Sequence, residues 1–425
     1  MILEEYKAKS VVRTSAPSLF SWGEAYLNPY QGCSHDCKYC DGKSEGYYMH
    51  TDFAERIRVK VNAPQLLETY LRRKGFIPLR RERTSTLLDF IPSLREEIQS
   101  ELKPKFILYI GGGVCDVYQP AEARCRMTRA LLEIAGDYQF PVFILTKNTL
   151  ALRDMDLLKK INEDSYACCS FTITLADESV QRIFEPNAST TRERFAAINT
   201  LRKEGIHSGV YFYPCLPFIG DTDENMQSIY EQAKKTGAEF VYCWGLTLKP
   251  GRNKKEFFQT LEKHFPEYLS KYQQLYKKED KYGNVDVDEF NRMGLVWPEI
   301  KGYKLGYDYG LPYTAKRYVP DGCIKMNLRV SEILLRIAFI KKFILQHSQA
   351  EVRRLEQASR FLETFEKDIS ELEMKVITNM PISTSLLPHI QEIIVENKSN
   401  YLEKLEREAY NTISELLSLK PESRP

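Results

Sequence analysis

The 425-residue chain lacks any apolar run of the ~18 residues that a membrane-spanning helix needs. The nearest approach, ILLRIAFIKKFIL, is broken by Arg336, Lys341 and Lys342. The first residues, MILEEYKAKS, carry acids and no apolar core, so no signal peptide is expected. Neither charge dominates: 60 basic against 58 acidic residues leave a net +2. Composition therefore gives no case for a polyanionic partner, and local basic runs must make it. No internal repeat is visible. Ten cysteines are too few for the disulfide-dense scaffold of a small secreted domain, and three of them crowd into one short stretch. These absences point to a soluble protein of a reducing cytoplasm, where grouped cysteines signal metal or redox chemistry.

What is present is an alternation. Between about residues 24 and 248, six apolar runs recur: AYLNPY, FILYIGGG, PVFILTK, ACCSFTITL, GVYFYPCLP and FVYCWGL. Helical stretches at 120–137, 154–163, 190–204 and 222–236 separate most of them. Asp154 and Thr190 or Thr191 suit N-caps, and Gly205 and Gly237 suit stops. Runs that are apolar along their length fit strands covered on both faces. Six such units predict an α/β fold, a parallel sheet curling into a partial (β/α)6 barrel; a complete eight-strand barrel needs ~250 residues. This core is expected over residues 1–250. Within it, residues 60–104 read as an insertion. Its six basic residues between Arg72 and Arg83 suit a solvated surface better than a phosphate-binding patch. Residues 251–327 form a Tyr/Gly/Pro-rich connecting region that begins with a charged helix over 254–278. Residues 328–425 predict a mainly α-helical, hairpin-like extension. Ile333, Ile337, Ile340 and Ile344 share a face. Leu355, Ala358, Leu362, Phe365, Ile369, Leu372 and Val376 step as a heptad stripe. Leu402, Leu405, Ala409, Ile413 and Leu416 make another, with Pro381 and Pro388 between the two.

The grouped cysteines lie in NPYQGCSHDCKYC, residues 28–40. Cys33, Cys37 and Cys40 are spaced C-x3-C-x2-C. Thiolates are soft donors that suit zinc or iron–sulfur clusters. Structural zinc wants four ligands; His35 is too near in sequence to complete a comfortable tetrahedron. A cubane normally takes four cysteines, so three leave one iron open for a small molecule. Spacing alone keeps both readings open. Gly111, Gly112 and Gly113 end the second run, where backbone can approach a ligand closely. Lys147 ends the third run. Ser170, Thr172 and Thr174 share one face of the fourth, read as lining a cavity.

The C-x3-C-x-aromatic-C loop after a first strand, with Tyr39 in the aromatic position, resembles the cluster loop of the radical S-adenosylmethionine (SAM) superfamily. VCDVYQPAE resembles the Asp-Pro-Tyr-Gln-Pro-x-Glu signature of its spore photoproduct lyase-like subfamily. Asp116, Tyr118, Gln119, Pro120 and Glu122 match, and Val117 replaces a proline. The subfamily's NPYxGC is matched by Asn28, Pro29, Tyr30, Gly32 and Cys33, and its ILTK by Ile144 to Lys147. Ile173-Thr174-Leu175 and Glu185-Pro186 match further elements. The resemblance covers residues 24–248, without the insertion or the tail. It implies a [4Fe–4S] cluster held by Cys33, Cys37 and Cys40, whose fourth iron binds the amino and carboxylate groups of SAM. It implies Tyr39 against the adenine, Gly111, Gly112, Gly113 and Asp116 beside the cofactor, and Lys147, Thr172 and Arg194 toward its carboxylate and ribose. No Glu follows the glycines, so backbone carbonyls would receive the amino group. One-electron reduction by an external reductant then cleaves SAM to a radical that abstracts hydrogen from the substrate.

Spore photoproduct lyases return a hydrogen atom from a cysteine outside the cluster loop. No motif places that thiol here. Cys115, Cys215 and Cys243 lie near strand ends, with Cys115 the first choice; Cys125, Cys168 and Cys169 read as core fillers. Three functions compete. The first is radical SAM chemistry on a nucleic acid, with lyase-type repair of a DNA thymine photoproduct as its concrete form. Basic residues in Arg72–Arg83 and tyrosines at 303–318 would hold phosphates and stack bases. The second is radical SAM modification of a peptide, lipid or tRNA. The third is a non-enzymatic iron–sulfur or zinc protein whose helical tail docks a partner. Cys323 stands alone, so no auxiliary cluster is expected in the tail.

Overall fold

The computed structural model of the protein describes residues 1–16, 18–47, 49–79, 104, 106–111, 114–278, 280–320 and 324–419. In chain order the strands are β1 (Ile2–Tyr6), β2 (Val12–Thr14), β3 (Gly23–Leu27), β4 (Tyr30–Gln31), β5 (Arg56–Lys60), β6 (Ile107–Ile110), β7 (Val142–Thr146), β8 (Ala167–Thr172), β9 (Val210–Cys215) and β10 (Val241–Gly245). The main sheet runs in the order β10-β9-β8-β7-β6-β3-β2. Its first six strands are parallel and β2 is antiparallel on the edge. Each of the six apolar runs supplies one parallel strand. Parallel neighbours cannot be joined by tight turns, so helices carry the crossovers. They are α1 (Ala63–Arg73), α2 (Met127–Asp137), α3 (Met155–Asp164), α4 (Glu178–Phe184), α5 (Thr191–Lys203) and α6 (Asp223–Lys235).

The sheet curls without closing. Phe143 on β7 and Tyr211 on β9, two strands apart, bring their ring centroids to 5.9 Å. From the open side Phe20 enters the interior and meets Tyr109, Tyr211 and Tyr242 edge-on at 6.0, 4.9 and 5.3 Å. The caps are local. Thr190 and Glu193 form a reciprocal capping box on α5, and Gly205 and Gly237 follow α5 and α6 with φ of +77° each. Asp154 sits at the N-cap of α3 but its carboxylate pairs with Arg129 and Arg153 instead. The stretch read as an insertion divides. Ala63, Leu67 and Leu71 of α1 pack into the main core as the first crossover helix, because they share one helical face. Residues 80–103 and 105, with Arg80, Arg81 and Arg83, lie outside the described residues.

Beyond β10 the helix expected over 254–278 is two, α7 (Arg252–His264) and α8 (Pro266–Leu275). Pro266 lacks an N–H and holds Phe265 out of helical geometry, so it starts a helix rather than continuing one. After α9 (Pro298–Tyr309) come α10 (Lys325–Phe339), α11 (Gln349–Thr364), α12 (Leu387–Glu396) and α13 (Asn400–Ser418). The Ile333, Ile337, Ile340 and Ile344 stripe and the Leu402, Leu405, Ala409 and Ile413 stripe are buried in one separate core. The heptad stripe does not continue to Val376. Asn327 donates to the carbonyls of Phe365 and Lys367 and accepts from Ile369 N, and this bends the chain out of α11. The extension is also more than a hairpin, since α12 and α13 as well as α11 pack on α10.

Candidate active site

A cavity of about 290 Å³ opens at the C-terminal ends of the parallel strands, the face where barrels of this kind build their sites. Cys33, Cys37 and Cys40 line it from the loop after β3 and β4. Gly111 follows β6, Lys147 follows β7, Thr172 ends β8, and Tyr213 lies on β9.

The cysteine loop is held by the motif that follows β6. Asn28 Nδ2 donates to the Cys115 carbonyl at 2.6 Å, and Tyr30 OH donates to Glu122. Gln119 bridges the loop, accepting from Ser34 N at 2.9 Å and donating to the Gly32 carbonyl at 2.9 Å. Gly32 has φ +87°, and a Cβ there would lie 2.5 Å from the Arg56 carbonyl, so no other residue fits. Asp116 accepts from Tyr118 N, Thr146 OH and Lys147 N at 2.7–2.8 Å. Burial opposes its ionisation, but His35 and these donors outweigh it and hold the carboxyl down at about 2.

A second polar cluster backs the aromatic of the loop. Tyr39 OH donates to Glu185, which also takes Arg194 and accepts from Gln181 at 3.2 Å. Arg194 completes its fork on the carbonyls of Thr172 (2.6 Å) and Ser189 (2.8 Å). Burial would raise the Glu185 carboxyl; the charges of Arg194 and Lys147, with these hydrogen bonds, bring it to about 2. Lys147 Nζ stands 5.6 Å from the Tyr39 ring centroid. On the far side, Lys43 Nζ reaches Asp36 at 2.6 Å and Glu256 of α7 at 2.7 Å, and Lys249 reaches Asp41 at 2.8 Å. These pairs tie the loop to the chain that follows β10, across the open seam.

The fold thus brings together Cys33, Cys37, Cys40, Tyr39, Gly111, Cys115, Asp116, Lys147 and Thr172 around one cavity. Arg194 is fully buried and not among the lining residues; its guanidinium serves Glu185 behind the wall. Gly112 and Gly113 lie outside the described residues. Of the other strand-end thiols, Cys215 and Cys243 do not line the cavity, and Cys243 Sγ lies 3.3 Å from the Pro298 carbonyl. Cys168 and Cys169 are buried in the cores, and Cys125 is half-buried. Sequence reasoning gave no role to Glu185, His35, Arg13 or the rings of Phe20, Tyr26, Tyr109 and Tyr213. The Glu185-Pro186 match was the signal for the first.

Among the described residues, no three His, Cys, Asp or Glu side chains converge on a single-ion point. The donor chemistry of the loop fits a cluster of soft metal. Three free thiols line one cavity, and burial keeps them protonated, with Cys37 raised to about 12. A bound metal removes such protons outright. His35 is not the fourth ligand. Its Nδ1 lies 3.0 Å from the Asn187 carbonyl, and its Nε2 makes a poorly aligned 3.3 Å contact with Asp116.

The chain is 28% identical over 300 residues to the uncharacterized protein Rv2578c of Mycobacterium tuberculosis, covering 69% of this chain and 79% of that one. It is 26% identical over 262 residues to the uncharacterized protein MJ0683 of Methanocaldococcus jannaschii, covering 61% and 83%. A solved structure of spore photoproduct lyase with dinucleoside spore photoproduct is similar with a TM-score of 0.43 and 15% identity, over 61% of this chain and 66% of that chain. Residues 27–233 match the family model of the Radical SAM superfamily, which uses a [4Fe–4S] cluster and SAM. The thiol loop and all but the last parallel strand lie inside or overlap that span, so the part of this chain that builds the site is similar to the radical SAM superfamily.

Proposed function

We propose that the chain is a radical SAM enzyme of the reducing cytoplasm that acts on a nucleic acid, with lyase-type reversal of a thymine photoproduct as its concrete form. The observation that carries this reading is the contact between the two subfamily-like motifs. Asn28, Tyr30 and Gly32 of the first bond directly to Cys115, Glu122 and Gln119 of the second. Motifs that match at the sequence level thus support one another as a single scaffold under the cavity.

When bound to Cys33, Cys37 and Cys40, the cluster with SAM supplies one-electron chemistry that ends in hydrogen-atom abstraction. Lys147 offers its ammonium to the SAM carboxylate. Tyr39, fixed by Glu185, presents a ring to the adenine, and Thr172 presents a hydroxyl to the ribose. Asp116 holds the Lys147 backbone and so aims that side chain. Cys115 is a buried cavity thiol, raised by its burial to about 12, so at neutral pH it keeps the S–H bond a hydrogen donor needs. A second reading, modification of a peptide or tRNA, draws on the tail. Helices α10–α13 build their own core outside the matched residues and reach β10 through the 5.0 Å Phe343–Trp244 contact.

Anaerobic reconstitution with iron and sulfide, then dithionite, SAM and an oligonucleotide carrying spore photoproduct, tests both readings. Formation of 5′-deoxyadenosine together with restored thymine supports the first. Deoxyadenosine without restored thymine transfers the case to the second, and a fully loaded cluster that never cleaves SAM overturns both.

A further inference from the structure

The cavity lining combines unlike groups: the thiols, Lys147 and Thr172, four rings (Phe20, Tyr26, Tyr109 and Tyr213), and Arg13. Arg13 lies on the edge strand β2, exposed, with its guanidinium 5.9 Å from the Tyr26 ring centroid. Of the neighbouring charges of the site, Asp41 pairs with Lys249, Lys38 and Lys43 with Asp36 and Glu256, and Asp116 with its three donors, while Lys147 stands against the Tyr39 ring. Among the described residues no acid pairs with Arg13. A lone guanidinium at the rim of a ring-lined cavity suits a ligand that is flat within and anionic at its edge.

We propose that Arg13 is a specificity-determining residue that holds a phosphate flanking the reacting base of a nucleotide substrate. The inference rests on the nucleic-acid reading above and names the contact that selects it. A guanidinium meets a phosphate through two parallel N–H bonds. The rings that line the same cavity, Tyr26 nearest to Arg13, give a base a stacking surface, a contact tolerant of sequence. A peptide carboxylate would match Arg13 but would not use the rings. The exposure of Arg13 is consistent with this placement, since the phosphate stays at the solvent edge while its base enters.

The test is fluorescence anisotropy on the reconstituted, SAM-bound protein with a labelled single strand of ten thymidines. Two comparison ligands are the same strand with a neutral methylphosphonate backbone and a polyglutamate peptide of equal length. Arg13→Gln is expected to weaken strand binding about tenfold, the scale of one charge-assisted contact. Arg13→Lys should recover part of it. The logarithmic salt slope should fall by about 0.7, the value for one phosphate on a single strand. A structural role would leave that slope unchanged, and the neutral strand should bind wild type and Arg13→Gln alike. Equal affinity of wild type and Arg13→Gln for the charged strand, with binding intact, overturns the Arg13 assignment and leaves the nucleic-acid reading standing. Wild type that prefers the polyglutamate, or binds no strand, overturns both.

Discussion

At the barrel mouth, thirteen residues of loop are held through Asn28, Tyr30, Gln119 and Glu122 by directed hydrogen bonds, buried at Tyr30–Glu122 and Ser34–Gln119 and half-buried at Asn28–Cys115. Around α10, by contrast, Ile333, Leu334 and Ile337 pack with Leu355, Leu362, Leu405 and Ile413, all nearly inaccessible. Polar networks carry a desolvation cost and return geometry, because each bond has a direction. Apolar packing returns stability with little angular demand. The site sits where the chain uses the first device, and the extension stands by the second.

Six substitutions, at the loop thiols and three other positions, strain this contrast. The largest effect belongs to the loop thiols. Replacing Cys33, Cys37 or Cys40 by Ala should abolish the broad absorbance near 400 nm and all 5′-deoxyadenosine formation, with little change in melting temperature; iron and sulfide assays per chain check it. Retained turnover would break the contrast at its root. Next, Arg194→Met leaves the buried Glu185 carboxylate without its ion-pair partner, which costs about 3–5 kcal/mol. It should also shift a pH dependence. Glu185 and Asp116 titrate at about 2, below their ordinary 4.5 and 3.8. Their ionised forms therefore stabilise the fold above those ordinary values, and that contribution is lost as pH falls from about 4.5 towards 2. In Arg194→Met the Glu185 share should be lost at higher pH, which unfolding curves between pH 6 and 3 read directly.

Leu334→Ala should destabilise the extension by about 2–5 kcal/mol through its cavity. Denaturant unfolding should show this while reconstituted iron content stays at the wild-type level. Loss of iron would mean that the two regions are not separable in the way their packing suggests. The smallest effect is expected for Gln119→Leu, which strands Ser34 N and the Gly32 carbonyl at about 1–3 kcal/mol. Its signature lies in the cluster's EPR spectrum and SAM affinity more than in the melting temperature, because the loop shifts while the core stays.

Much of this molecule is legible in one dimension. The six parallel strands announce themselves as apolar runs because both of their faces are covered. The α5 capping box and the glycine stops are local chemistry. The break at Pro266 is equally local, yet the expectation of one helix over 254–278 ran through it. The end of α11 was not, because Asn327, 38 residues from Phe365, decides it through a long-range bond. The apolar face of α1 was visible, but its place in the main core depends on which strands flank it.

The sequence by itself determined the donor set: three thiols at a spacing that only one loop carries, and the order of strands and helices that sets them at a strand's end. Spacing along a chain is a covalent property and needs no folding to be read. Only the tertiary structure decided that Arg194 faces Glu185 rather than the cavity, that His35 engages Asn187 and Asp116, and that Arg13 and four rings line the same cavity as the thiols. Those outcomes depend on which side chains a curled sheet brings within a few ångströms, a property of the packed chain and of no local stretch of it.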